Sequence, residues 1–172
     1  RATLLAPRQV RFELPEAFTI DLADFGTRAE RLERYHPTIG SGYDLGYLFG
    51  VFLGDGHAFL HADTRNSEIG QVTIYVGSSE PDVRDRVVQT IERLSGVMPT
   101  VDECGSVFHV HLYSLQWARL LAQLGKRDEK HLPAQYRCND PEYLRGLLDG
   151  LIDSDGHIGA DGRVGFRNTS RD

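Results

Sequence analysis

Two short segments that carry reactive side chains recur one hundred residues apart. Each contains the triplet Asp-Gly-His, at residues 55–57 and again at 155–157. Carboxylates are the side chains that hold hard divalent cations in proteins. A calcium loop starting at Asp153 is excluded, because its fifth and twelfth positions would be His157 and Val164, which do not fit an EF-hand. The pattern therefore predicts that Asp55 and Asp155 contribute to one shared site.

Histidines provide a weaker second candidate. His109 and His111 are two residues apart in a strand-like segment, so they face the same way and could form half of a zinc site. The sequence shows no third ligand, so we interpret them as polar residues on a sheet surface. His57 and His157 could lie next to a bound metal. Histidines at such strand positions are more often ordinary polar residues that contact no metal.

A helix is predicted before each aspartate. The first begins with a capping-box pattern at Ser41 and Asp44, and the second begins Asp140-Pro141, an N-cap followed by proline. Each glycine inside a helix costs about 1 kcal/mol relative to alanine, so a run of them needs compensation. Close contact between the two helices would provide that compensation, so we expect them to pack in parallel about a pseudo-twofold axis. We interpret Asp153, which lies in the second helix, as a structural residue. The small residues that would form the contact recur every fourth position on one face: Gly46, Gly50, Gly54, Gly146, Gly150 and Ser154.

The segment between the two motifs predicts an α+β unit. Strands are expected near residues 57–63, 71–76, 98–103 and 107–113, and helices near 79–94 and 115–124, with Trp117 and Leu121 in the core. The order is helix, two strands, helix, two strands, helix (αββαββα), with the helices on one face of the sheet. The other face would carry polar side chains able to read DNA bases, although a solvated sheet has the same pattern. These are Gln71, Thr73, Tyr75, His109, His111 and Tyr113.

After the second motif the pattern restarts. A hairpin is predicted over 157–167, with a turn at Asp161-Gly162 and with Arg163 and Arg167 facing outward. We expect three regions: an N-terminal linker (1–40) that includes a helix-like stretch at 27–35, a first unit (41–135), and the start of an incomplete second unit (136–172).

Composition limits the class of protein. Of 172 residues, 40% are hydrophobic and 26% charged, which is typical of globular proteins and not of disordered ones. No apolar run is long enough for a membrane span. The sequence shows no recognisable leader and has only two cysteines, Cys104 and Cys138, so we expect a cytoplasmic location. Two cysteines are also too few for a cysteine-rich zinc site. Seventeen arginines against two lysines indicate a GC-rich microbial or phage source. The net charge of −6 would by itself argue against a nucleic-acid binder.

These motifs resemble those of the LAGLIDADG homing endonucleases. Residues 148–156 (LDGLIDSDG) match seven of the nine letters, and residues 48–56 (LFGVFLGDG) match four, including the central glycine and the terminal Asp-Gly. The segment Lys130–Pro133 resembles the lysine-containing block of the branch embedded in inteins. The resemblance covers about residues 41–172, and it implies that residues 1–40 join the endonuclease to a splicing domain.

The resemblance also implies a set of roles. Asp55 and Asp155, together with Gly54 and Ser154, would hold two or more divalent ions, normally Mg²⁺, and Lys130 would polarise the attacking water or steady the charge on phosphorus. The product would be a staggered double-strand cut in a long, asymmetric DNA site.

Alternatives remain: a non-cleaving maturase or regulator on the same scaffold, a solvated Lys130 without function, and a second half supplied by another chain or segment. The net charge leads us to expect modest DNA binding that requires divalent cations. The DNA contacts expected are Arg65, Gln71, Thr73, Tyr75, His109, His111, Arg163 and Arg167.

Overall fold

A four-stranded antiparallel sheet covered by helices forms the centre of the computed structural model, which describes residues 13–26, 38–62, 68–158 and 164–166. The predicted helix-like stretch at 27–35, the turn at Asp161-Gly162, and Arg65, Arg163 and Arg167 all lie outside the described residues. The helices and strands follow in this order: β1 (Thr19–Asp21), β2 (Thr38–Gly40), α1 (Tyr43–Asp55), β3 (Gly56–Ala62), β4 (Glu68–Gly77), α2 (Pro81–Ser95), β5 (Thr100–Cys104), β6 (Val107–Tyr113), α3 (Leu115–Ala122), α4 (Pro141–Asp155), β7 (Gly156–Ile158) and β8 (Val164–Phe166).

The predicted αββαββα order is confirmed from α1 to α3, and the fold class is α+β. The sheet has the strand order β3-β4-β6-β5, and every neighbouring pair is antiparallel. After α4 the chain enters β7, which pairs antiparallel with β8. The sequence α4-β7-β8 therefore repeats the start of the first unit, α1-β3-β4.

Alternation in the strands places the core on one side of the sheet. In β4, Val72, Ile74 and Val76 are all at most 5% exposed, and α1, α2 and α3 all contact this sheet. Period-two alternation of this kind is expected when one face of an antiparallel sheet packs on helices and the other faces solvent. Trp117 and Leu121 in α3 are fully buried, as the helical spacing predicts.

The helix ends follow the predicted capping signals at α4 but not at α1. Asp140 caps α4 by accepting hydrogen bonds from the backbone N–H groups of Glu142 and Tyr143. The predicted capping box at Ser41 and Asp44 is wrong, because α1 begins after Gly42 without a side-chain cap. Both side chains have long-range partners instead: Ser41 Oγ donates to Asp140 Oδ2 at 2.9 Å, and the Asp44 carboxylate accepts two hydrogen bonds from Arg93.

Part of the predicted linker is packed against the first unit. β1 pairs antiparallel with β2, and Ile20, Leu22 and Ile39 are buried in the same core as α1. The backbone N–H of Asn139, just before α4, donates to the Pro15 carbonyl at 2.8 Å. The sequence did not predict β1 and β2, because three-residue strands are too short to give a clear periodic signal.

Among the described residues, no helix combines the length and apolar character that a membrane crossing requires.

Candidate active site

The glycines of α1 and α4 bring the two helix backbones into direct contact. A Cβ atom on Gly46 would lie 2.1 Å from the Tyr143 carbonyl oxygen, and one on Gly146 would lie 2.1 Å from that of Tyr43. At Gly50, a Cβ would lie 2.4 Å from the Leu147 carbonyl oxygen. These distances are too short for any side chain. Positions 46, 50 and 54 of α1 meet successive positions of α4, so the helices run in parallel.

The parallel register brings the two helix ends together. A Cβ on Gly54 would lie 2.1 Å from Ser154 Oγ and 3.3 Å from Asp155 Cγ. The Ser154 hydroxyl turns back on its own helix and donates to the Gly150 carbonyl at 3.0 Å. Asp55 and Asp155, the last residues of their helices, are both exposed to solvent and are close enough for their charges to interact.

Two tyrosines of α1 hydrogen-bond to acids of α4 and so fix the register of the pair. Tyr43 Oη donates to Asp149 Oδ2 and Tyr47 Oη donates to Asp153 Oδ2, each at 2.7 Å. Arg86 of α2 also donates to Asp153 Oδ2, at 2.9 Å. Burial and the Asp153 carboxylate both raise the pKa of Tyr47, so the phenol stays protonated and donates. This structural role of Asp153 agrees with our interpretation, but nothing in the sequence identifies the tyrosine partners.

The carboxyl group of Asp55 is in an environment that disfavours its charge. The residue as a whole is exposed, but desolvation of its carboxyl group by nearby protein atoms raises the pKa first; the charges of Asp155 and Glu80 raise it further, and Lys130 opposes them. A raised pKa means that this environment disfavours the ionised form, here first through desolvation. A cation bound beside Asp55 would stabilise that form.

Lys130 reaches the end of α1 from the loop that precedes α4. Its Nζ donates to the carbonyl oxygens of Phe52 at 2.8 Å and Gly54 at 2.7 Å. Burial lowers the pKa of the amine, and the charges of Asp55 and Asp155 oppose that shift. Lys130 is therefore not a freely solvated surface charge, and its catalytic role stays a prediction. The lysine is a partly buried cation beside both carboxylates.

The outer face of the sheet carries most of the predicted base-reading side chains. His111 Nδ1 lies 2.8 Å from Gln71 Nε2 and 2.9 Å from Thr73 Oγ1, and these three residues form a hydrogen-bonded cluster across β4 and β6. Thr73 is only 5% exposed, because its neighbours cover it. Tyr75 is 39% exposed and packs edge-on against His109, with 5.0 Å between ring centroids.

No cluster of three or more histidine, cysteine or acidic side chains suited to a metal ion exists within the described residues. His111 Nε2 lies 3.5 Å from Asp102 Oδ2 on the neighbouring strand β5, and the interpretation of His109 and His111 as polar residues of the sheet surface stays a prediction. Within the described residues, the oxygen groups at the two helix ends include the carboxylates of Asp55 and Asp155 and neighbouring backbone carbonyls.

Sequence comparison relates the chain to a segment of a much longer protein. No family model matches. The chain is 32% identical over 123 residues to an iron-sulfur cluster assembly SufBD family protein of Mycobacterium leprae (strain TN). The match covers 71% of this chain but 13% of that protein, so the chain spans about an eighth of the length of this curated relative.

Structure comparison relates the chain to the homing endonuclease I-DmoI. Structures of its mesophilic variants align with a TM-score of 0.49 and 14% identity, over 68% of this chain and 60% of that one. A crystal structure of I-DmoI in complex with DNA and Mn aligns with a TM-score of 0.45 and 16% identity, over 68% and 63% of the two chains. The chain thus spans less than two thirds of these proteins.

Proposed function

We propose that this chain is a metal-dependent, site-specific DNA endonuclease of the LAGLIDADG homing type. The observation that carries the proposal is the meeting of two parallel helix ends, where Asp155 Cγ lies 3.3 Å from the Cβ position of Gly54 and interacts electrostatically with Asp55. Hydrolysing a phosphodiester requires an activated water and neutralisation of the charge on the entering and leaving oxygens. Two exposed carboxylates beside a partly buried lysine suit that chemistry.

The residues present fit a magnesium site. Mg²⁺ prefers oxygen ligands and is usually held by one or two carboxylates together with water and substrate phosphates. Asp55 and Asp155 provide the two carboxylates, and the Gly54 carbonyl, whose oxygen has a second lone pair beside the Lys130 contact, provides a further oxygen. The Ser154 hydroxyl is turned toward the Gly150 carbonyl, so we assign Ser154 to the helix contact more than to metal binding. Bound Mg²⁺ would supply Lewis acidity at the scissile phosphate.

We assign Lys130 two linked tasks. By donating to Phe52 and Gly54 it holds the last turn of α1, and with it Asp55, in a fixed position. Its charge also lies beside both carboxylates, where it can steady the additional negative charge that develops on phosphorus. A lysine with a lowered pKa is also better able to exchange a proton near neutral pH than an exposed one.

We propose that the outer face of the sheet contacts the duplex. Gln71, Tyr75, His109 and His111 present donors, acceptors and aromatic edges of the kind that read base pairs in the major groove. Thr73 is buried and would act through His111 and Gln71. Arg65, Arg163 and Arg167, which lie outside the described residues, remain proposed phosphate contacts.

We further propose that α4 begins a second unit whose sheet completes the DNA-binding surface. The repetition of α1-β3-β4 by α4-β7-β8 supports this proposal. So does the outer face of α4, where Leu144 is 46% and Leu148 is 57% exposed. A long, asymmetric DNA site would contact both sheets.

We also propose that the endonuclease is embedded in an intein, as the block at Lys130–Pro133 predicts. The Mycobacterium leprae relative is named for iron-sulfur cluster assembly, yet only 13% of it matches this chain. An endonuclease inserted into a host of unrelated function accounts for both facts. We do not propose that this chain itself binds an iron-sulfur cluster. It has two cysteines, and they differ in exposure: Cys104 is exposed and Cys138 is buried.

The test is cleavage of the uninterrupted host locus. The substrate is a SufBD-family gene from which the coding sequence of the inserted segment has been removed and the flanks rejoined, and the matched control is the same gene with the insertion in place. We expect the full-length protein to linearise the first plasmid in Mg²⁺, to spare the second, and to cut neither in EDTA. Tight binding to the rejoined locus without cutting would instead favour a maturase or regulator.

A further inference from the structure

Three polar side chains on the outer face of the sheet form a closed hydrogen-bonded triangle. Gln71 Nε2 lies 3.1 Å from Thr73 Oγ1 and 2.8 Å from His111 Nδ1, and those last two atoms are 2.9 Å apart. The His111 side chain is only 12% exposed, so its ring nitrogens depend on protein partners. Each atom of the triangle must therefore donate or accept in a way that suits its neighbours.

The fourth member of this network is Asp102, on the edge strand β5. Asp102 is opposite His109 in the register of β5 and β6, so it is diagonal to His111 on the same face of the sheet. Its Oδ2 lies 3.5 Å from His111 Nε2. Because a carboxylate is negative and only accepts, it favours the neutral imidazole that carries its hydrogen on Nε2. In that tautomer Nδ1 can only accept.

The tautomer of His111 determines the orientation of the Gln71 amide. An accepting Nδ1 requires the amide nitrogen beside it, which is the arrangement in the structure. If the amide were reversed, Oε1 would need the ring hydrogen to move to Nδ1, and Nε2 would then face the Asp102 carboxylate without a hydrogen. No group of the described residues hydrogen-bonds to Gln71 Oε1. This oxygen, on a partly exposed side chain, is therefore an open acceptor on the sheet face.

We propose that Asp102 and His111 position Gln71 to read one base of the DNA site through its carbonyl oxygen. The inference rests on the proposed function, in which this face contacts the duplex, and it adds the class of base. In the major groove the exocyclic amines of adenine and cytosine are donors, whereas guanine and thymine present acceptors. The DNA site would therefore carry adenine or cytosine at this position of one strand. Asp102 is a positioning residue, since it acts through His111.

The test is binding of the full-length protein to duplexes that span the rejoined host locus and carry every single base-pair substitution. Fluorescence anisotropy is measured in Ca²⁺, which takes the same kind of oxygen ligands as Mg²⁺, and at about pH 8, where histidines are ordinarily neutral. Gln71→Ala identifies the position, because it should remove the preference only there. We expect the wild type to favour adenine or cytosine at that position about tenfold over guanine or thymine. Gln71→Glu should keep the preference, because a carboxylate presents an acceptor in either orientation.

Asp102→Asn tests the positioning role directly. The asparagine amide can accept from Nε2 or donate to it, so it no longer selects a tautomer of His111. We expect the base preference at the Gln71 position to fall below about threefold, and the nitrogen NMR spectrum of the His111 ring to show both tautomers. Asp102→Glu should restore the single tautomer and the preference. The matched control is Glu103→Gln, which removes the same charge from the next residue of β5, on the opposite face of the strand, and should change neither.

Three results would overturn the proposal: a preference for guanine or thymine at the Gln71 position, no position that responds to Gln71→Ala, or an Asp102→Asn variant that keeps the wild-type preference. In each case, wild-type binding and cleavage at the locus would leave the endonuclease standing. If the wild-type protein binds the locus no more tightly than unrelated DNA, the proposed function fails together with this inference.

Discussion

Helices α1 and α4 share one face and differ on the other. Their contact faces correspond position by position, with Gly46 against the start of α4 and Gly54 against Ser154. On the outer faces, Leu48 is 1% exposed whereas Leu148, one hundred residues later, is 57% exposed. The two helices therefore share the residues of the helix contact and the terminal aspartates. They differ in the exposure of their outer faces, because a sheet covers α1 and no such sheet covers α4 within the described residues.

The largest expected effect compares the two leucines. Leu48→Ala removes a fully buried side chain and should lower the free energy of unfolding by about 2–5 kcal/mol. Leu148→Ala removes a largely exposed one and should change it by at most about 0.5 kcal/mol. Urea denaturation of both variants measures the difference. Equal losses would show that the outer face of α4 is covered in solution.

The contact face should be sensitive in both helices. Gly50→Ala and Gly150→Ala each place a methyl group within 2.4 Å of a carbonyl oxygen, and each should cost about 1–3 kcal/mol. Gly40→Ala is the control, because nothing lies within 4 Å of a Cβ at that position. Thermal melting of the three variants measures this, and tolerance of alanine at either contact glycine would contradict the close packing.

A smaller effect is expected for the tyrosine that joins the helices. Tyr47→Phe removes the hydrogen bond to Asp153 but keeps the ring, and should cost about 1 kcal/mol. Arg86 still pairs with Asp153 in this variant. Chemical denaturation compared with Tyr75→Phe, whose side chain is on the exposed sheet face, isolates the contribution of the hydrogen bond. A loss no greater than that of Tyr75→Phe would remove this contact from the account.

The smallest effect concerns the charge of Asp55. Because its pKa is raised, the folded protein holds this proton more tightly than the unfolded chain, so metal-free stability falls as pH rises from the ordinary carboxyl pKa through the raised one. Asp55→Asn should therefore raise Tm by a few degrees at pH 7 without metal, and should flatten that part of the pH profile. Added Mg²⁺ should stabilise the wild type more than the variant, because it binds the native carboxylate. A lower Tm for metal-free Asp55→Asn would contradict the origin of the shift.

Local patterns predicted much of this molecule. The spacing of four between small residues indicated the contact face of α1 and α4, and alternation in β4 separated Val72 and Ile74 from Gln71 and Tyr75. Asp140 and Pro141 gave the start of α4 correctly, because an N-cap depends only on neighbouring residues.

Contacts between distant residues were beyond the reach of the sequence. Lys130 bonds to carbonyls 76 and 78 residues earlier, and Ser41 bonds to Asp140, 99 residues later. The second contact removed the predicted capping box, because a tertiary partner outcompeted a local one. Thr73 occupies an outward strand position, yet it is only 5% exposed and contacts Gln71 of its own strand and His111 of the adjacent strand.

The central claim is that both helix ends supply one metal-dependent site, and cleavage of the rejoined host locus by Asp55→Asn and Asp155→Asn tests it most directly. Single-turnover cleavage in Mg²⁺ should fall at least about a thousandfold in each variant, since a lost carboxylate removes several kcal/mol of transition-state stabilisation. DNA binding should be largely preserved. Asp149→Asn, on the same helix but away from its end, is the control and should cut at close to the wild-type rate. Near-wild-type cleavage by either helix-end variant would contradict the account.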